Sequence, residues 1–285
     1  MRLKIEASYM VSVWNTRFLV DDVKQPWTKS TITDQGLDRV GDSYWISGTH
    51  IGSGKDSFSF KSTGVSKEVA YSDKSDKDIS YVESDDTKIT WTRELEYRFN
   101  LSDVSGVVSE VSLSWDEDKK TATAVGLLSG DVVLGEDEEL IISWRVDVSE
   151  FLDDVYKGRV DFGASVHEYV LKPCFYSRFK NSYIGIPLTQ KDGRVYSGVI
   201  PNDPSEEPQG SIDTNLANFD SYTFETRSKT FSNFFTLSSP NAVTRTATSH
   251  TIGLPSAYAI EFNPPIDKDF NRELTLNFKI NWDRG

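Results

Sequence analysis

The side chains able to do chemistry are few and scattered along the chain. His50, His167 and His250 are its 3 histidines, and none stands at a metal-ligand spacing from another ligating residue. Cys174 follows Pro173 and precedes Phe175 and Tyr176, which suits a buried structural thiol better than a nucleophile served by His167. The run Gly48-Thr49-His50-Ile51-Gly52-Ser53-Gly54 has the glycines of a phosphate loop but not its Gly-Lys-Ser/Thr ending, and no helix pattern follows. It reads as a tight turn between strands. The acidic runs Asp116 to Asp118 and Glu136 to Glu139 contain oxygens for calcium or for a glycosidase pair. Neither has the alternating order of a calcium loop, and adjacent carboxylates in a turn face water. The sequence therefore predicts no catalytic residue, no cofactor and no metal site.

Binding is the chemistry that remains, and aromatic residues are its carriers. Of the 7 tryptophans, Trp115, Trp144 and Trp282 fall on the apolar side of alternating strands and are expected in the core. Trp27 stands beside Pro26 in a polar segment, and is the candidate for a sugar-stacking ring or an interface anchor. The segment Pro201 to Gly210 carries three prolines and no large apolar residue, so it is expected as an exposed loop. Pro204, Glu206 and Pro208 join Pro26 and Trp27 as candidate interface residues.

These residues must be held by strands. Leu3, Ile5, Ala7, Tyr9, Val11 and Val13 alternate with mostly polar positions, the period of a half-buried strand. Asp21 to Gly41 reads as a long loop or arm, Tyr44 to Ile46 as a short buried strand, and Ser72 to Asp78 as a solvated loop. Leu95 to Leu101 and Val107 to Trp115 alternate on either side of Ser105-Gly106, a hairpin candidate that continues as a meander or part of a sandwich towards Val148. Ser149 to Tyr156 is the one helical spacing. Strands are expected at Val166 to Phe175 and Ser182 to Leu188, and Asp192-Gly193 reads as a hairpin turn before Val195 to Ile200. Leu274, Leu276, Phe278, Ile280 and Trp282 line one face of a closing strand.

The fold expected is all-β, an antiparallel sandwich or sandwiches in two β units with one short helix. The units are 1–150, with an arm at 21–41, and 151–285, with an exposed loop at 201–210. At 285 residues with 37% hydrophobic side chains, the chain has material for a packed interior without disulfides, which its single cysteine forbids. A net charge of -13 repels nucleic-acid phosphates and anionic lipid alike. No secretory signal is visible, and no window approaches the roughly 18 apolar residues of a membrane span. The expectation is a protein made in the cytoplasm.

One resemblance adds a function. It rests on Gly48 to Gly54, on Trp91-Thr92-Arg93-Glu94-Leu95-Glu96-Tyr97-Arg98-Phe99, on Gly106 to Trp115, on Gly126-Leu127-Leu128 and on Leu140 to Arg145. In that order these resemble a group of tailed-bacteriophage tail or minor structural proteins, with Glu110 and Arg145 at matching positions. Trp144 replaces the family's tyrosine, Ser112 and Ser114 replace glycines, and nothing from Lys172 onwards matches. The resemblance implies a virion component made in the host cytoplasm that assembles with copies of itself and other virion proteins, and it implies nothing about chemistry; from the residues, no enzyme is expected. A receptor- or carbohydrate-binding sandwich, with a host surface glycan or receptor as partner, is the alternative.

Overall fold

The alternation beginning at Leu3 becomes the strand on which the molecule is built. The computed structural model describes residues 2–41, 44–104, 106–163, 165–174, 189–204, 206–212, 216–223, 227–235, 242–252, 256–268, 271 and 273–285. Strand β1 (Arg2–Asn15) buries its odd-numbered apolar residues from Leu3 to Val13. One edge pairs antiparallel with β10 (Glu138–Phe151), from Leu3 opposite Glu150 to Asn15 opposite Glu138. The other edge is divided: residues 2–5 pair parallel with the last strand, β19 (Leu274–Arg284), and residues 8–15 pair antiparallel with β2 (Val20–Lys29).

Three sheets result. An eight-stranded sheet runs β15 (Leu216–Thr223), β16 (Ser228–Phe235), β19, β1, β10, β7 (Lys88–Phe99) and β6 (Ser75–Ser84), with β2 beside β1. A five-stranded sheet runs β3 (Thr31–Ile32), β9 (Ala122–Val133), β8 (Val107–Ser114), β4 (Gly48–Gly52) and β5 (Glu68–Ser72). A six-stranded sheet runs β11 (Tyr156–Asp161), β12 (Val166–Pro173), β18 (Ser256–Lys268), β17 (Ala242–Ile252), β13 (Thr189–Tyr196) and β14 (Ser211–Ile212). The fold is all-β and sandwich-like, with one short helix, α1 (Asp34–Arg39), among the described residues.

The first two sheets meet through side chains whose polar ends are satisfied across the core. Trp144 Nε1 donates to Thr49 Oγ1 at 2.9 Å, and the Tyr9 hydroxyl donates to the Leu127 carbonyl at 2.7 Å. The two aromatic rings lie 5.5 Å apart. Burying large aromatics this way gains their apolar area without stranding a donor. At the C-terminus, Trp282 Nε1 donates to the Leu37 carbonyl at 2.8 Å, and Arg284 pairs with Asp34, which also accepts from Arg227 at 2.8 Å. The Arg284 and Arg227 guanidinium groups hold the Asp34 carboxyl below its ordinary value. Helix α1 and β19 thus clamp each other, and β19 carries strand pairing from the last residues directly onto the first.

Several local expectations are corrected. The helix lies at Asp34–Arg39, where the Thr33 hydroxyl caps it by accepting from Gly36 N at 2.9 Å. Ser149 to Phe151 instead continue β10, because Val148 and Glu150 extend its period-two face against β1 and β7. Most of the expected arm is strand β2 and this helix. Leu95 to Leu101 and Val107 to Trp115 do not form a hairpin: β7 and β8 belong to different sheets, since β8 is buried on both faces and must lie within the second sheet. The glycine-rich turn is strand β4. A Cβ on Gly48 would stand 2.4 Å from the Tyr71 hydroxyl, and one on Gly52 would stand 2.5 Å from the Glu110 carboxylate, so these glycines admit close side chains. Asp76 to Asp78 belong to β6, where Asp78 pairs with Arg93 and Asp76 with Arg98.

Trp115 is half-buried under the Arg39 guanidinium, whereas Trp144 and Trp282 are core residues. Trp45 and Ile46 are buried but outside any strand. Asp192-Gly193 does not turn the chain but lies within β13, beside a register shift after Gln190. Ser182 to Leu188 lie outside the described residues.

Candidate interaction surface

Strands β1 and β2 form a hairpin whose turn is fixed by Asn15. Its Oδ1 accepts from Arg17 N at 3.1 Å and Phe18 N at 2.9 Å, and Leu19 N returns to the Asn15 carbonyl at 2.8 Å. Leu19 completes the turn at φ 54°, a left-handed conformation that a leucine adopts only at a cost. Phe18 and Leu19 are 68% and 69% exposed, and Val20 and Val23 continue the apolar surface. Strand β2 is exposed along nearly its whole length, and β1 is its only strand partner among the described residues. Gln25 is the buried exception, accepting from Ser129 N and Oγ and so tying the hairpin to β9.

Trp27, on the same strand, is 38% exposed, with Pro26 exposed beside it. Its ring lies 4.7 Å from the Arg145 guanidinium, a stacked cation over an aromatic face. Arg145 donates to Glu94 Oε1 from Nε at 2.9 Å and Nη2 at 2.6 Å, leaving its other N–H groups available, and the Tyr81 hydroxyl donates to the same oxygen at 3.1 Å. Burial pushes the Glu94 carboxyl up, but Arg145 and Tyr81 outweigh it and hold the group below its ordinary value. Beside this cluster, Asp147 stands between Glu6 and Thr92 on neighbouring strands. Thr92 Oγ1 donates to Asp147 Oδ1 at 2.6 Å, and burial raises the Asp147 pKa. Tyr81, Lys88, Thr90, Thr92, Arg145 and Asp147 line an open groove of about 450 Å³ on the outer face of the large sheet.

The second expected surface is more tied down than its composition suggests. Glu206 is exposed and Pro204 half-buried, but Pro208 is buried, which corrects the reading of this segment as wholly exposed. Backbone pairs Gly198 N to the Gln209 carbonyl at 3.0 Å and Ser197 N to the Gly210 carbonyl at 3.1 Å fold it back on its own stem. The Tyr196 hydroxyl bonds Glu207 at 2.9 Å, and Cys174 Sγ points at the Glu206 carbonyl at 3.7 Å. The candidates therefore separate: Pro26 and Trp27 share the hairpin, and the three residues of the proline-rich loop lie elsewhere.

Several of the potential chemical groups among the described residues are occupied or enclosed. Cys174 is buried and its thiol is pushed up to about 12, the state of an inert structural cysteine. His50 is buried, bonded to Glu68 at 2.8 Å and packed on Tyr71. His167 lies between Ser165 at 2.7 Å and the Pro264 carbonyl at 2.6 Å, not beside Cys174. Glu110 is fully buried, accepting from Gly54 N, Lys67 N and the Ser66 hydroxyl. It staples the Gly54 and Ser66-Lys67 segments together through these hydrogen bonds. No group of three metal-ligating side chains occurs among the described residues, and no described helix is long and apolar enough to cross a membrane.

Phe18, Leu19, Tyr81 and Asp147 were not singled out by sequence reasoning. Phe18-Leu19-Val20 had a signal, a continuous apolar run where turns are ordinarily polar. Tyr81 and Asp147 had none, because a polar strand position is read as solvent-facing until its neighbours are known. Comparison of the chain with protein-family models, with curated proteins and with solved structures finds no match.

Proposed function

We propose that this protein is a structural component of a tailed-phage particle, in the tail or at its distal end, and that it acts by assembly with copies of itself and with neighbouring virion proteins. The observation that carries the reading is the β1–β2 hairpin. A leucine in a left-handed turn, flanked by exposed Phe18 and Val20, spends both backbone strain and hydration on presenting an apolar tip. A monomer has no use for that arrangement, whereas a partner surface removes the tip from water and repays the cost. The unpaired outer edge of β2 adds backbone donors and acceptors that a neighbouring copy can complete by strand addition. Stable contacts of this kind bury on the order of 800 Å² per partner, and closed symmetry multiplies a modest contact into a ring. The phage resemblance of the β7 to β10 region supplies the setting; the hairpin supplies the means.

Light scattering coupled to size-exclusion chromatography tests it. The wild-type chain is expected to form a discrete homo-oligomer, and Phe18→Asp with Leu19→Asp to convert it to a folded monomer. Leu19→Gly separates strain from contact: it should raise thermal stability by about 1 kcal/mol by relieving the left-handed turn, yet weaken the oligomer. A wild-type protein that stays monomeric at high concentration overturns the proposal.

A further inference from the structure

We infer that the groove on the open face of β6, β7 and β10, extended by Trp27, is a binding site for a neutral saccharide chain. Its polar groups are already oriented by the protein. Arg145 and Tyr81 are fixed on Glu94, and Thr92 holds one oxygen of Asp147 at 2.6 Å, so hydroxyl-rich ligands meet donors and acceptors whose ordering cost is met in advance. Trp27 stands at the Arg145 end with one face on the guanidinium at 4.7 Å and with 38% of its surface open. A rigid aromatic beside a row of fixed polar groups matches the two faces of a pyranose, one of C–H bonds and one rim of hydroxyls.

Charge decides against acidic ligands. Glu83, Asp85 and Asp147 outnumber Lys88 and Arg145 in the groove, and Arg145 pairs outside that lining with Glu94, which Lys77 also approaches at 3.6 Å. The lining left after that pairing is negative, so uronic or sialic acids are repelled while neutral hydroxyls donate to its carboxylates. The groove is an open trough of about 450 Å³, room for a chain passing through and not an enclosure for one small molecule. The site is distinct from the apolar hairpin tip and does not depend on oligomer formation.

An array of short neutral oligosaccharides of glucose, galactose, rhamnose and N-acetylhexosamine, with sialylated counterparts, is the test, followed by titration of the best neutral binder. Wild-type protein is expected to bind neutral members only. Asp147→Asn and Trp27→Ala should each weaken binding by about tenfold or more with an unchanged circular-dichroism spectrum. The hairpin variant Phe18→Asp with Leu19→Asp should keep its intrinsic affinity in titration while losing the oligomer, which separates failure of this site from failure of assembly. Absence of binding to every neutral saccharide, a preference for sialylated ones, or affinity unaffected by both groove variants overturns the assignment.

Discussion

Glu150 is an ionisable side chain carried into the interior by strand periodicity. It occupies the inward position after Val148 in β10, facing the registers of Leu3 and Ile89, and is fully buried beside the Tyr258 hydroxyl. Burial raises its pKa well above the ordinary glutamate value, with Asp154 adding to the shift and Tyr258 opposing it. The folded protein therefore retains a proton that the unfolded chain releases. Stability from this group is fully present below the unfolded value and is lost as pH rises towards the folded value. Glu150→Gln should match the wild type in acid and exceed it by about 1–2 kcal/mol at neutral pH, in urea melts across the range. Equal pH dependence in the two proteins would oppose the assignment. Cys174 is the buried structural thiol that its sequence neighbours suggest, and Glu110 is likewise buried, with its carboxylate hydrogen-bonded.

At the scale of elements, α1 shows how packing overrides propensity. Gly36 lies in a six-residue helix, where alanine is intrinsically better by about 1 kcal/mol. A Cβ there would come within 2.5 Å of the Thr123 backbone in β9, which has no flexible end to move. Gly36→Ala should destabilise by about 1–3 kcal/mol, the sign opposite to helix propensity, in thermal or urea unfolding. The β1–β2 hairpin was hidden for a related reason. Val20 to Lys29 is polar, carries Pro26 and buries only Gln25, so no alternation marks it; the edge of β1 that β19 leaves free recruits it. By contrast β1 and β19 were legible, because each buries alternate residues along its length and alternation is the necessary result.

For the whole molecule, the divided edge of β1 is the controlling feature. Its first residues take β19 in parallel, so the large sheet joins both ends of the chain, and α1 locks that junction through Trp282 and Arg284. Trp282→Ala should cost about 3–5 kcal/mol, and its denaturation should weaken amide protection in β1 as well as in β19, measured by hydrogen exchange. Loss confined to the C-terminal strands would mean that the two parts are energetically separate. The sequence by itself determined the β class and the inward face of strands such as β1 and β19, since composition and period two act locally. Only tertiary structure decided that β7 and β8 part into different sheets, that the glycines of β4 make room for Tyr71 and Glu110, and that Trp27 meets Arg145 beside a groove. Those outcomes depend on which edges and faces come together over long sequence separations, and no single segment carries that information.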